Sequence, residues 1–299
     1  MRASVLLVAA IAAASLVVAG CTPAPPPPTE IPHTGPDART HWELRHRLLD
    51  TRGLSVVGQQ IDHGGESTTV RLTDAATNVS EDCFVALSVP GQGGPDNKVG
   101  ERVATTYEGR PAVRSGAGAE ADYLMWRLED DSWVEVSCAG LDSRTSIERV
   151  AAAVDLEPTP IMIPFDVGLP DGYAPAEIVV DLDRPSGRVY VGRLGRRPWS
   201  PEAELDLAYG APELSSDPPG EPTTLAGRPA RVDDTSTSPA VWVQEQGRWV
   251  YAGVTASDTG PYPNRRSELP AIRAIAESFT FAEDLTDPST WLAADGVFG

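Results

Sequence analysis

The chain repeats itself. "GRPA" stands at Gly109–Ala112 and again at Gly227–Ala230, 118 residues later. "MWRLEDDSWVEV" (Met125–Val136) parallels "VWVQEQGRWVYA" (Val241–Ala252) at an offset of 116, so that Trp126 and Trp133 match Trp242 and Trp249. Upstream, "CFVALSV" (Cys83–Val89) lines up with "VYVGRLG" (Val189–Gly195), and each copy closes on an amphipathic helical pattern, Ser146–Leu156 and Leu269–Phe281. Self-similarity in one order, at offsets from 106 for the Cys83 segment to 125, means that two copies of one supersecondary unit must each bury an apolar face. The spacing predicts units over 39–157 and 160–282, joined by a short proline-rich linker, Glu157–Pro164, and followed by a tail over 283–299.

Within each unit the pattern is mostly of strands. "TTVRLTD", "CFVALSV", "AVRSG", "DYLMWRL" and "WVEVSCA" alternate or run apolar in the first; "AEIVVDL", "RVYVGRL", "ARVDD", "AVWVQEQ" and "RWVYAGV" do so in the second. "EDDS" and "EQGR" read as hairpin turns. A helix is predicted over Arg39–Asp50 from the spacing of Trp42, Leu44, Leu48 and Leu49. The expected fold class is α+β: two tandem related domains, each a mainly antiparallel sheet packed against a C-terminal helix. The Gly-x-Pro-Ala turn, the aromatic hairpin and the ending "IAESFTF" (Ile275–Phe281) resemble small extracytoplasmic domains of the Mog1/PsbP-like type. The first unit has Val154 and Leu156 where the Ser-Phe ending would stand. The resemblance implies the same α+β class and carries over no functional residue.

The N-terminus concerns location. Arg2 precedes an apolar run from Ala3 to Ala19, and small residues lead into Cys21. This is the layout of a secretory signal over residues 1–20. Val18-Ala19-Gly20-Cys21 resembles the lipobox of bacterial lipoproteins, which implies diacylglyceryl transfer to the Cys21 sulfur, cleavage before it, and palmitate or similar chains holding the protein to the outer face of the cell membrane. An uncleaved anchor helix is the competing reading of the same run. Seven prolines in residues 22–38 predict a stiff polyproline spacer. Lys98 is the only lysine beside 23 arginines, a composition expected of a high-GC genome such as an actinobacterial one. The formal net charge of −19 argues against nucleic acid as a partner.

With Cys21 assigned to lipid, Cys83 and Cys138 are left in an exported chain and are expected to form a disulfide. By the offsets above they correspond to Val189 and Val254, a buried apolar pair in the other copy.

No motif for chemistry stands out. His33, His41, His46 and His63 all lie before the strands read in the first unit, and His41 and His46 read as exposed helix residues. No HExxH, CxxC, P-loop or GxSxG occurs, so no metal or cofactor is expected. Asp181 and Asp183 share a strand face, the pattern of a solvated face or of paired carboxylates on a polysaccharide. The better candidates are Trp126, Trp133, Trp242 and Trp249, as core or as an aromatic groove for a sugar, lipid tail or peptide, and Arg110 and Arg228, as internal ion pairs or anion contacts. The expected function is that of a non-enzymatic, membrane-anchored envelope lipoprotein binding a partner protein or envelope component. A carrier of a lipid or other amphiphile is the alternative, and a cell-wall polymer hydrolase ranks third.

Overall fold

The computed structural model describes residues 41–49, 53–73, 80–116, 121–139, 143–193, 205–210, 217–254 and 264–298. The leader over 1–20, Cys21 and the spacer over 21–38 lie outside them. The first half supplies β1 (Leu54–Asp62), β2 (Gly65–Thr73), β3 (Ser80–Ser88), β4 (Arg102–Tyr107), β5 (Arg110–Ser115), β6 (Asp122–Arg127) and β7 (Trp133–Cys138), then helix α1 (Ser143–Ala151). The second supplies β8 (Tyr173–Asp181), β9 (Ser186–Arg193), β10 (Leu205–Tyr209), β11 (Glu221–Leu225), β12 (Arg228–Asp233), β13 (Ala240–Glu245) and β14 (Arg248–Val254), then helix α2 (Leu269–Ser278).

All fourteen strands belong to one antiparallel sheet, in the order β11-β12-β13-β14-β10-β9-β8-β1-β2-β3-β7-β6-β5-β4. The order is the same read from either end: each half runs first, second, third, seventh, sixth, fifth, fourth. The expectation of two separate sheet-and-helix domains is therefore overturned, and the protein is mostly β with short helices. The join is β1 on β8, with Ile61 opposite Ile178 and Gly58 opposite Asp181. Each of these strands carries a fully buried isoleucine and an outward row of backbone donors and acceptors, and pairing satisfies both needs at once.

One face of the sheet is apolar and covered. In β2 the burial alternates at Glu66, Thr68, Val70 and Leu72, and in β7 at Val134, Val136 and Cys138. Helix α1 lays Ile147 and Val150 on β7, β6 and β3; α2 lays Ile272 and Ile275 on β13 and β14. Burying each such side chain stabilises by about 1.5–3 kcal/mol. Both helices stop before the sequence pattern predicts. Val154–Asp155 and Thr280–Phe281 instead pair as short strands with Arg47–Leu48 and Phe165–Asp166. Among the described residues no helix is long and apolar enough to cross a membrane.

Two further expectations fail on period. The helix predicted over Arg39–Asp50 is extended where it is described: Glu43–Leu44 pairs with Thr159–Pro160, and Trp42, Leu44 and His46 are buried alternately. Four apolar residues at helical spacing thus conceal a period of two. The presumed linker is a buried strap, with Ile161, Ile163 and Phe165 inside and Met162–Ile163 paired to Leu292–Ala293 of the tail. The tail adds Leu285, Trp291 and Ala294 to the same core.

Cys83 and Cys138 are bonded, at directly opposed positions on β3 and β7, Cα atoms 4.2 Å apart and both buried. Closing 55 residues of chain stabilises by roughly 3–4 kcal/mol in the chain-entropy picture. Their counterparts are not Val189 and Val254. By connectivity β3 matches β10, not β9, and the opposed pair there is Leu205 and Val254. The offset of 106 was one strand out.

Candidate functional site

The tryptophans do not form a groove. Trp126 lies opposite Val134 on the covered face, 2% exposed, its ring 4.6 Å from Tyr107. Trp133 points to the outer face, where Gly94 (φ 101°) packs so closely that a Cβ there would come within 3.1 Å of the indole Nε1. In the second half both tryptophans are on the outer face: Trp242 opposes Tyr251, rings 4.8 Å apart, and Trp249 opposes Gln244. The cause is turn length. Arg127 pairs with Trp133 across five residues, whereas Gln244 pairs with Trp249 across four. The register therefore matches Trp126 to Val243, and a one-residue slip moves a side chain through the sheet. Near Tyr251, Arg188 lies 3.2 Å from the buried Asp206, and burial with this neighbouring carboxylate pushes the Tyr251 phenol well up.

The arginines locate a site. Each begins the strand after a two-residue turn with both φ angles positive: Glu108-Gly109 before Arg110, Ala226-Gly227 before Arg228. Glycine is needed at the second turn position, and the geometry matches the strand twist. Both side chains leave on the covered face, beside the end of the helix and the hairpin that carries the tryptophans. From there the halves diverge.

In the second half this corner is closed. Arg228 donates from Nη1 to the Phe279 carbonyl at 2.8 Å and from Nη2 to the Glu277 carbonyl at 3.4 Å, and its guanidinium lies 5.1 Å from the Phe281 ring centre. It satisfies carbonyls that the end of α2 leaves without intrahelical partners. Gln246, in the β13–β14 turn, donates its amide to the carbonyls of Ala282 and Glu283, both at 3.1 Å, and accepts from Leu285 N–H at 3.1 Å. The segment so held drives Leu285 fully into the core. The internal ion pair expected of Arg228 is a marginal 4.0 Å contact with Glu245. Its main role is to bind backbone carbonyls.

In the first half the same corner is open. Gly109, Arg110, Pro111, Arg127, Leu128, Glu129, Asp130 and Leu156 line a cavity of about 640 Å³. Leu156 follows the short strand after α1 and is 36% exposed. There the chain turns away, Glu157 pairing with Arg47 at 2.7 Å. Arg127 is held by Asp131. Asp130 accepts from Ser132 N–H and Oγ at 3.0 and 2.9 Å and faces Arg45 at 3.4 Å. Burial opposes ionisation of Asp130, but the Ser132 donors and the Arg45 charge outweigh it and hold its carboxyl low. Arg110 and Glu129 have no hydrogen-bond or ion-pair partner among the described residues.

Behind this wall runs a buried polar seam that sequence reading missed. His46, read as exposed, is 1% exposed; its Nδ1 lies 3.1 Å from Glu66 Oε1 and its Nε2 3.0 Å from Thr68 Oγ1. The Arg45 N–H donates to Glu66, and the Arg45 guanidinium continues to Ser132 Oγ at 3.2 Å and the Ser88 carbonyl. Buried polar groups persist where they are mutually satisfied. This network ties the floor of the sheet to the hairpin that forms one side of the open corner. The alternation of His46 with Trp42 and Leu44 was the signal for it.

The acidic candidates are otherwise engaged. Asp181 accepts from the backbone of Asp183 and Arg184 in a turn, and Asp183 pairs with Arg71 at 2.8 Å. Glu81, Cys83 and Cys138 bring potential ligand atoms within 4.8 Å, but both sulfurs are in the disulfide. Two smaller cavities, of about 300 and 320 Å³, lie at the β1–β2 turn and beside Arg184 and Arg248. The chain matches no protein-family model and no curated protein.

Proposed function

We propose that this is a non-enzymatic cell-envelope lipoprotein, tethered through Cys21 and a proline spacer to the outer face of the cell membrane, which binds a partner protein at the Arg110 corner. The single observation that carries the binding reading is the contrast between two equivalent corners. One is filled by the chain's own tail; the other, with the same GRPA turn, holds no tail segment among the described residues and is lined by aliphatic groups beside Arg110 and Glu129, which have no side-chain partner among those residues. The lipobox-like N-terminus and the acidic charge support the location and argue against nucleic acid. The matching strand order of the halves supports an origin by duplication within one sheet. The three cavities described above are open to solvent, unlike the enclosed apolar space that an amphiphile carrier needs.

A photocrosslinking residue placed at Leu156 in living cells, with the outward-facing Phe84 as control position, tests the binding. A discrete adduct at Leu156 that disappears with Arg110→Ala is expected; equal adducts at both positions would sink the proposal. Cys21→Ser tests the tether separately: the protein should leave the membrane fraction and lose incorporated palmitate, and continued membrane attachment would contradict lipid anchoring.

A further inference from the structure

We infer that Arg184, Tyr209 and Arg248, at one end of the sheet in the second half, form a binding site for a phosphate group. The site is separate from the Arg110 corner and does not depend on what that corner binds. It is the cavity of about 320 Å³ walled by Arg184 and Pro185 of the β8–β9 turn, Tyr209 and Gly210 at the end of β10, Arg248 at the start of β14, and Thr286 of the tail. Three separate parts of the sheet thus bring two cations and a phenol to one space.

The acidic groups close to these arginines are engaged elsewhere. Asp181 accepts from the backbone N–H groups of Asp183 and Arg184, at 3.0 and 2.8 Å, and Asp183 pairs with Arg71. Glu245 stands opposite Arg248 in the β13–β14 ladder but lies 4.0 Å from Arg228. Asp284 Oδ1 accepts from the Thr286 N–H and hydroxyl, at 2.8 and 2.7 Å. The side chains of Arg184 and Arg248 have no hydrogen-bond or ion-pair partner among the described residues. Tyr209 is the second observation. It is fully buried, and its hydroxyl has no hydrogen-bond partner among the described residues, although buried polar groups are normally paired. Burial pushes the phenol up, the Arg248 charge opposes this and the Asp284 charge adds to it, so the hydroxyl sits within the field of both groups and stays a donor at neutral pH. The wall is tight: at Gly210 (φ 68°) a Cβ would come within 2.5 Å of the Pro185 carbonyl, so the β8–β9 turn is packed directly on the end of β10.

Two guanidinium groups and a protonated phenol call for a negatively charged acceptor. A carboxylate presents two oxygens in one plane, which a single arginine satisfies. Donors from three separate elements match a phosphate, whose oxygens point in several directions and which carries more charge. The Asp284 charge weakens the attraction, but two cations outweigh it. The cavity lies at the small end of ligand sites, with room for a phosphate and a few further atoms. Free phosphate and the headgroup of a phospholipid share this chemistry.

The test titrates full-length protein in detergent and phosphate-free buffer, by calorimetry, with inorganic phosphate and separately with dihexanoyl phosphatidic acid below its micelle concentration. Saturable phosphate binding with a Kd of about 1 mM or tighter is expected, against none for sodium chloride at matched ionic strength. Arg184→Ala and Arg248→Ala should each weaken it about fivefold or more, and Asp284→Asn should tighten it about threefold. Tyr209→Phe should weaken it about fivefold while leaving the melting temperature of the ligand-free protein unchanged or higher, because the deleted hydroxyl has no partner to lose. A tighter Kd for phosphatidic acid than for phosphate makes a lipid headgroup the source, and the reverse order makes it free phosphate. No saturable binding of either probe, or an unchanged phosphate Kd when Arg184→Ala and Arg248→Ala are combined, would overturn the inference. So would a Tyr209→Phe protein that binds phosphate as tightly as before.

Discussion

The two GRPA corners share a turn, a strand and an arginine, and differ in everything that follows the helix. After α2 the chain stays, and Arg228 with Gln246 clamps it. After α1 the chain leaves, and Arg110 is left facing a cavity. Identical residues in equivalent positions thus do different work, because the main partners of Arg228 are backbone carbonyls and not side chains. A backbone partner leaves no mark in the sequence of the motif itself.

The comparison can be broken at several points, here from the largest effect downward. Trp126→Ala should cost about 3–5 kcal/mol, as a fully buried indole does, while Trp133→Ala, on the half-buried outer face, should cost about 1 kcal/mol or less. Denaturant unfolding of both variants checks this, and equal losses would refute the register that puts the two residues on opposite faces. Removing the disulfide with Cys83→Ala and Cys138→Ala should cost roughly 3 kcal/mol and lower the melting temperature by about 6–12 °C. Cys83→Leu with Cys138→Val, which copies the Leu205–Val254 pair, should recover part of the loss.

Arg228→Ala should cost about 1–3 kcal/mol, since two carbonyls at the end of α2 lose a charged donor, whereas Arg110→Ala should change stability by about 0.5 kcal/mol or less. That difference, measured in one denaturant series, is the direct test of closed against open. The smallest effect is with pH. Hydroxyls of Ser143 and Ser115 hold the Asp122 carboxyl below the ordinary range, and Thr286 does the same for Asp284 in the closed corner. Their folded values are depressed, so the stability they add is present above the unfolded value near pH 3.9 and is lost as pH falls below it. Tryptophan fluorescence during acid titration should show this loss, and Asp284→Asn should make the decline shallower.

Much of the fold was legible in the sequence because alternation is a direct record of one buried face. Each of the ten quoted strand segments overlaps a strand, both hairpin turns are where "EDDS" and "EQGR" stand, and Cys83 is bonded to Cys138. Other features left weaker marks. β10, "LDLAY", is buried at all five positions and so does not alternate; overlooking it shifted the match of Cys83 by one strand. β11, "EPTTL", is exposed at four of five positions and carries a proline. The equal spacing of the tryptophan pairs hid the extra turn residue that sends Trp126 inward and Trp242 outward. The joining of the halves depended on β1, "LSVVGQQID", whose polar residues obscured its pairing with β8. At the site, the two arginines were visible and the distinction between them was not, since it lies in Pro158, Pro160 and Gln246, well away from "GRPA".

The seam between β1 and β8 also governs how copies of this protein can meet. Two separate sheets would present four unpaired strand edges; the fused sheet presents two, β4 and β11. β11 carries Pro222, which has no N–H to offer an incoming strand, next to the charge of Glu221. A head-to-tail fibre would need β4 of one molecule against β11 of the next, and that rung is broken. What the edges permit is β4 against β4, an arrangement that uses up its own surface after two copies. Fusing the halves therefore leaves the large sheet with β4 as its one edge strand without a proline, which disfavours open-ended polymers built by strand addition.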